Sequence, residues 1–247
     1  MSKDIPNNHV EIQKSSERGS ARYDWLESRF SFSFANYYNP QKMGYGVLRV
    51  LNDDIIAPSM GFDTHPHRNM EIVSVPIYGR LRHRDTMGND YVIEEGEIQT
   101  MSAGRGIAHS EYNDSNTEHA NFLQIWILPK KKNIDPQYSQ KKFSLEQRRN
   151  KLQLVVSPDG RNDSAIINQD AFFSLVDLSE KNSLIYEKYE KTNGIYFFVI
   201  DGHMKINDIE LVRRDGLATS EIDDVVLTSL AQTNLLIIEV PLYKDLT

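Results

Sequence analysis

Two short runs in this chain place metal-binding side chains at strand spacing. His65-Pro66-His67 sets imidazoles at i and i+2, and His109-Ser110-Glu111 sets an imidazole and a carboxylate at the same interval. Side chains alternate between the two faces of a strand, so each pair points to one side. Three neutral imidazoles and a carboxylate suit Fe(II), Mn(II), Co(II), Ni(II), Cu(II) or Zn(II). Such a set leaves one or two positions open for water, dioxygen or substrate, as a catalytic site needs. A lone His-x-His pair also fits two surface or hydrogen-bonded histidines. Two i,i+2 pairs within β-type sequence, separated by a hairpin signal, favour the metal.

The elements that would carry these pairs read as short strands. Gly44 to Leu51 alternates and is expected to stop at the turn cluster Asn52-Asp53-Asp54. Glu71–Tyr78 is a β-branched run closed by Gly79. Leu81–Asp85 leads through Met87-Gly88-Asn89, a hairpin signal, into Tyr91-Val92-Ile93. Phe122–Leu128 is an apolar strand ended by Pro129. Strands resume at Leu152–Val156, Phe172–Val176, Ile195–Ile200 and Asn234–Val240. The polar stretch between the halves, with a short helix after Ser144, reads as a junction. Many short strands and little helical periodicity predict an all-β sandwich or barrel architecture.

At 247 residues the chain can form one large β domain or two smaller ones. It contains no cysteine, which excludes disulfides, thiolate nucleophiles and Cys-based metal sites. A net charge of −7 makes it a poor direct binder of nucleic acid. The opening residues show no apolar signal core, and no stretch approaches a membrane span. A cytoplasmic location and no membrane contact are therefore expected.

Among the remaining polar candidates, His83 reads as structural or partly exposed, and His9, His119 and His203 as solvated. Gln124 is the one polar residue in an apolar strand and reads as a satisfied interior amide or a cavity lining. Gly104 and Gly106 flank Arg105 ahead of His109 and set the backbone entering that strand. Phe30–Tyr38 is rich in aromatics and reads as packing.

Gly61-Phe-Asp-Thr-His-Pro-His-Arg-Asn-Met-Glu71 with Gly79 resembles the first cupin motif. Gly96, Ser102–His109 and Asn113 resemble the second. The chain more specifically resembles the pirin family. The matching stretches are Ser31–Pro40, Leu48–Asp54, His65–His67, His83–Asn89 and Ala103-Gly-Arg-Gly-Ile-Ala-His-Ser-Glu111. They span most of residues 22–128, whereas the C-terminal half matches only in strand pattern and position.

The resemblance implies two jelly-roll cupin barrels in tandem. Residues 1–130 would form a metal-binding barrel, 131–150 a linker, and 151–247 a degenerate barrel without metal. It implies His65, His67, His109 and Glu111 as ligands, with iron(II) the first choice of ion. The general cupin pattern would nominate Glu71 in place of Glu111; Glu71 otherwise serves as a hydrogen-bond partner near the site. The implied activity is dioxygenation of a flavonol such as quercetin, with Glu111 also accepting the substrate hydroxyl proton. The alternative is a redox-responsive regulator acting through protein partners.

Overall fold

The computed structural model describes residues 10–220 and 224–242; His9 lies outside the described residues. Antiparallel strands dominate, and no α-helix occurs among the described residues. None of the described helical segments is long and apolar enough to cross a membrane. Contacts divide the chain into two units, one of 18–143 with 157–170, the other drawn from 1–17, 144–156 and 171–247. The units are therefore not consecutive halves of the chain.

The strand β1 (Val10–Gln13) belongs to the second unit. The first unit contains β2 (Gly19–Arg22), β3 (Leu26–Phe30), β4 (Leu48–Ile56), β5 (Gly61–His67), β6 (Glu71–Tyr78) and β7 (Arg80–Asp85). It continues with β8 (Asp90–Glu94), β9 (Glu97–Ser102), β10 (Ile107–Asn113), β11 (Ala120–Ile127) and β12 (Gln137–Lys142). A seven-stranded sheet in the order β12-β9-β6-β11-β4-β3-β2 faces a four-stranded sheet in the order β5-β10-β7-β8.

Register explains what fills this barrel. Across the larger sheet, Phe30, Asn52, Gln124, Ser74 and Gln99 are successive cross-strand partners. Every second residue along each strand shares that face, so an apolar row built of Val50, Trp126, Ile72 and Met101 runs parallel to the polar one. Ile72 and Met101 cluster with Ala103 and Ile107 at one end of the barrel. Leu26, Ile56, Leu81 and Phe122 cluster at the other. Each such side chain contributes about 1.5–3 kcal/mol on full burial. Those apolar ends hold the barrel together and leave the polar layer between them free to do chemistry.

Two expectations change here. Asn52-Asp53-Asp54 does not end a strand, because β4 runs unbroken from Leu48 to Ile56. Asn52 lies in the polar row, Asp54 accepts a hydrogen bond from Ser28, and Asp53 accepts one from Asn121 at 2.7 Å. A polar barrel interior thus mimics a turn in the sequence. The expected linker 131–150 likewise contains β12, which pairs residue for residue with β9 from Gln137↔Ser102 to Lys142↔Glu97. Its polar composition is that of a sheet-edge strand.

The second unit takes up β13 (Gln153–Ser157), while β14 (Ala165–Ile166) returns to the first beside β9 and β12. There follow β15 (Phe172–Leu178), β16 (Ser183–Glu187), β17 (Asn193–Asp201), β18 (His203–Ile206), β19 (Ile209–Val212), β20 (Gly216–Thr219), β21 (Asp224–Ser229) and β22 (Thr233–Pro241). The strands of this unit run in the order β1-β20-β17-β22-β15-β13 within one sheet and β16-β21-β18-β19 in the other. Inward positions here are apolar: Ile195, Phe197 and Val199 on β17 meet Leu235 and Ile237 on β22. The buried carboxylate Glu239 is saturated by Tyr186 Oη, the amides of Tyr189 and Glu190, and Asn193 Nδ2. It therefore braces a loop.

Candidate metal centre

The strand β10 brings the two sequence pairs together. On one side it pairs with β5, setting His109 opposite His65 and Ile107 opposite His67. The register shifts between His109 and Glu111, so Glu111 faces Phe62. Gly61 sits against Glu111 O and Tyr112 Cα, where any β-carbon would collide. On its other side β10 pairs with β7, setting Asp85 opposite His109 and His83 opposite Glu111. The loop entering β10 turns at Gly104, whose φ of +48° is left-handed and whose pro-β position is filled by Ile134 O. The expected backbone role of Gly104 is met.

His65, His67 and His109 converge. Their ring centroids lie 4.5–4.9 Å apart, and one ligand nitrogen from each falls within 4.8 Å of the others. His65 Nδ1 lies 2.8 Å from the Asp63 carbonyl, which can only accept. Nδ1 therefore carries a proton, and the neutral tautomer with that proton presents its lone pair on Nε2. The Trp126 and His67 ring centroids lie 4.9 Å apart with their planes near perpendicular, a contact that orients His67. His109 is fully buried, and its Nε2 has no hydrogen-bond partner among the described residues.

Burial, reinforced by the neighbouring imidazoles, lowers the pKa of His67 to about 4 and that of His109 to about 3. Both rings are thus neutral at physiological pH, the state a metal ligand requires. A buried ring nitrogen with nothing to bond, beside the neutral His67 and the converging His65 ring, fits a divalent transition metal.

Glu111 joins this centre through His109. It falls with His83 and His109 in a second group whose ligand atoms lie within 4.8 Å of one another. Gln124 Nε2 donates to Glu111 Oε2 at 2.7 Å, and Ser74 Oγ donates to Gln124 Oε1 at 2.8 Å. Gln124 is therefore a satisfied interior amide, one that grips the carboxylate. Glu71 belongs to neither group. Its Oε2 accepts from Ser102 Oγ at 2.5 Å and from the Asn168 amide at 3.1 Å, and burial raises its pKa.

His83 is fully buried beside His109, which fits the structural reading and not the partly exposed one. Its Nε2 lies 3.0 Å from Asp85 Oδ2 and its ring packs on Tyr138. The available signal was His83-Arg84-Asp85, a third i,i+2 pair on a strand. Burial acts to raise the pKa of Asp85, but hydrogen bonds from Asn89, His83 and Met87 outweigh it and leave the carboxyl below its usual value. His119 is exposed, and His203 pairs with Glu210 at 2.6 Å. Phe30, Phe34 and Trp126 pack in series, as the aromatic run predicts.

An open depression of about 450 Å³ is lined by Pro66, Thr86 and Ala108 with Ile107 and His67, the one imidazole of the three that borders it; Pro66 and Ala108 lie on the strand face opposite the imidazoles.

Residues 11–127 match the family model described as Pirin, and residues 154–240 match the quercetinase C-terminal cupin domain. The chain is 39% identical over 233 residues to a quercetin 2,3-dioxygenase of Escherichia coli (strain K12), covering 94% of this chain and 99% of the relative. A putative quercetin 2,3-dioxygenase of Pasteurella multocida is 37% identical, covering 91% of this chain and 96% of the relative. Among solved structures, a bacterial pirin from Escherichia coli in complex with nickel(II) superposes with a TM-score of 0.90 at 37% identity. That match covers 95% of this chain and 100% of the other.

Proposed function

The chain belongs to the pirin family, a tandem pair of cupin barrels, and from that premise we propose that it is a metal-dependent dioxygenase acting on a flavonol such as quercetin. One divalent metal would be held by His65, His67, His109 and Glu111, with iron(II) the first ion to test. The observation that carries this reading is His109 Nε2, buried and without a hydrogen-bond partner among the described residues, where the imidazoles of His65 and His67 converge on it. The relatives' names support the substrate class, and the nickel(II) complex of the pirin relative supports a divalent metal.

When bound, such an ion supplies a Lewis acid that lowers the pKa of an enolic hydroxyl and a centre for oxygen chemistry. The protein's own residues do the rest. Glu111 accepts the substrate hydroxyl proton. Its Oε2 stays engaged by Gln124, so Oε1, which Ser74 approaches only at 3.5 Å, is the oxygen placed to receive it. Ile72, Met101 and Trp126 exclude water behind the imidazoles.

The test loads the protein separately with iron, manganese, cobalt, nickel and copper, then follows flavonol absorbance and oxygen uptake together. Coupled, metal-dependent loss of both is expected. Absorbance loss without oxygen uptake, or equal rates in a His65→Ala/His67→Ala protein, would mean non-enzymatic oxidation and overturn the reading.

A further inference from the structure

We propose that Asp85, His83 and His109 form a hydrogen-bonded relay that fixes the tautomer of His109, making His83 a positioning residue and not a ligand. The inference rests on the metal reading above and deepens it.

The proton positions follow from the far end inward. Asp85 Oδ1 accepts from the amides of Met87 at 2.9 Å and Asn89 at 3.1 Å, and Oδ2 accepts from Asn89 Nδ2 at 2.8 Å. A carboxylate receiving three N–H donors is an acceptor. The proton of its 3.0 Å contact with His83 therefore sits on His83 Nε2. In a neutral ring that leaves His83 Nδ1 as an acceptor. Gln99 Nε2 presents a donor to that same atom at 3.4 Å, in agreement. His109 Nδ1 stands 3.3 Å away, the nearer of two candidate donors to that single lone pair, and in the proposed relay it supplies the hydrogen. With its proton on Nδ1, His109 is left with a lone pair on Nε2, the buried atom that lacks a partner.

A rival use of the same atoms has to be weighed. A metal bridging His83 Nδ1 and His109 Nδ1 could also engage Glu111, since those three residues form a ligand-spaced group. That arrangement would leave His109 Nε2–H as a buried donor without an acceptor, a cost of about 1–3 kcal/mol. The relay leaves no such group. It also carries the negative charge of Asp85 toward the ligand, which raises the basicity of His109.

The amide of asparagine can put an oxygen where the Nδ1 of histidine lies, so it can replace the acceptor that His109 needs. Apparent metal affinity and the reduction potential of the iron-loaded protein would be measured in wild type, His83→Asn, His83→Leu and Asp85→Asn. Histidine ligands would be counted by X-ray absorption. His83→Leu is expected to weaken binding about 10–100-fold, with His83→Asn restoring most of it. Asp85→Asn should raise the potential, because a nearby negative charge favours the oxidised ion. The histidine count should stay the same throughout. Loss of one histidine ligand in His83→Asn and His83→Leu would show that His83 binds metal and overturn the proposal. Wild-type affinity and potential in every variant would overturn it too, while leaving the metal centre standing. A wild-type protein that takes up no metal would remove both.

Discussion

Gln124 reaches across the barrel from β11 to hold Glu111 on β10, with 2.7 Å between Nε2 and Oε2. The contact joins the two sheets of the first unit through its polar layer. It also explains why an amide sits between Leu123 and Ile125, both fully buried. A buried carboxylate on a ligand strand needs a donor that stays in place, and Gln124 is itself anchored by Ser74.

Replacing Gln124 by Leu should cost the metal-free protein about 2 kcal/mol, the scale of a buried hydrogen bond to a charged group. Urea unfolding measures this directly. A change below about 0.5 kcal/mol would mean that Glu111 finds another donor or turns away.

Asp54 should give the metal-free protein an unusual pH dependence. Burial raises its pKa from 3.8 to about 7, with Ser28 opposing and Asp53 adding to the effect. Between those values the folded state holds a proton that the unfolded chain has lost. Its contribution to stability is thus complete below pH 3.8 and fades as pH rises toward 7, by at most about 1.4 kcal/mol per unit. Asp54→Asn should remove this slope and gain on wild type at pH 8 relative to pH 5. Parallel slopes in the two proteins would contradict the assignment.

The candidate ligand pairs stood out because strand parity turns i,i+2 spacing into a shared face, and both pairs do lie on strands. Other features were hidden by the same polar layer that makes the site. Asn52 and Asp54 look like a turn until the barrel interior is known to be polar. His83 is flanked by Arg82 and Arg84, which have the composition of an exposed strand and mask the i,i+2 signal it makes with Asp85; its pairing with Glu111 across β7 and β10 reveals it. The division into units escaped because 157–170 joins the first unit by contacts remote in sequence, which local composition does not encode.

Gly104→Ala tests the turn into β10. The left-handed φ costs an alanine about 1 kcal/mol, and the Ile134 carbonyl must also yield. A loss of about 2–3 kcal/mol in thermal or urea unfolding is expected, together with weaker metal uptake as Ile107 and His109 shift. Wild-type stability would mean that the loop has another conformation available.

The last prediction separates the two glutamates. Glu111 shares a ligand-spaced group with His109, whereas Glu71 Oε2 is committed to Ser102 and to the Asn168 amide. Glu111→Gln removes a charge beside the candidate metal position and should cost both stoichiometry and affinity. Glu71→Gln should stay within the roughly 10–100-fold range of residues that only support ligands. The raised pKa of Glu71 also makes glutamine a close match for its protonated form. Its stabilising proton is lost as pH rises through the folded-state pKa, so the glutamine variant should be at least as stable as wild type in alkaline buffer. Metal content per chain, competition with a chelator of known affinity and urea unfolding at two pH values read all of this out. If Glu71→Gln lost its metal while Glu111→Gln kept it, the fourth ligand would be the general cupin one.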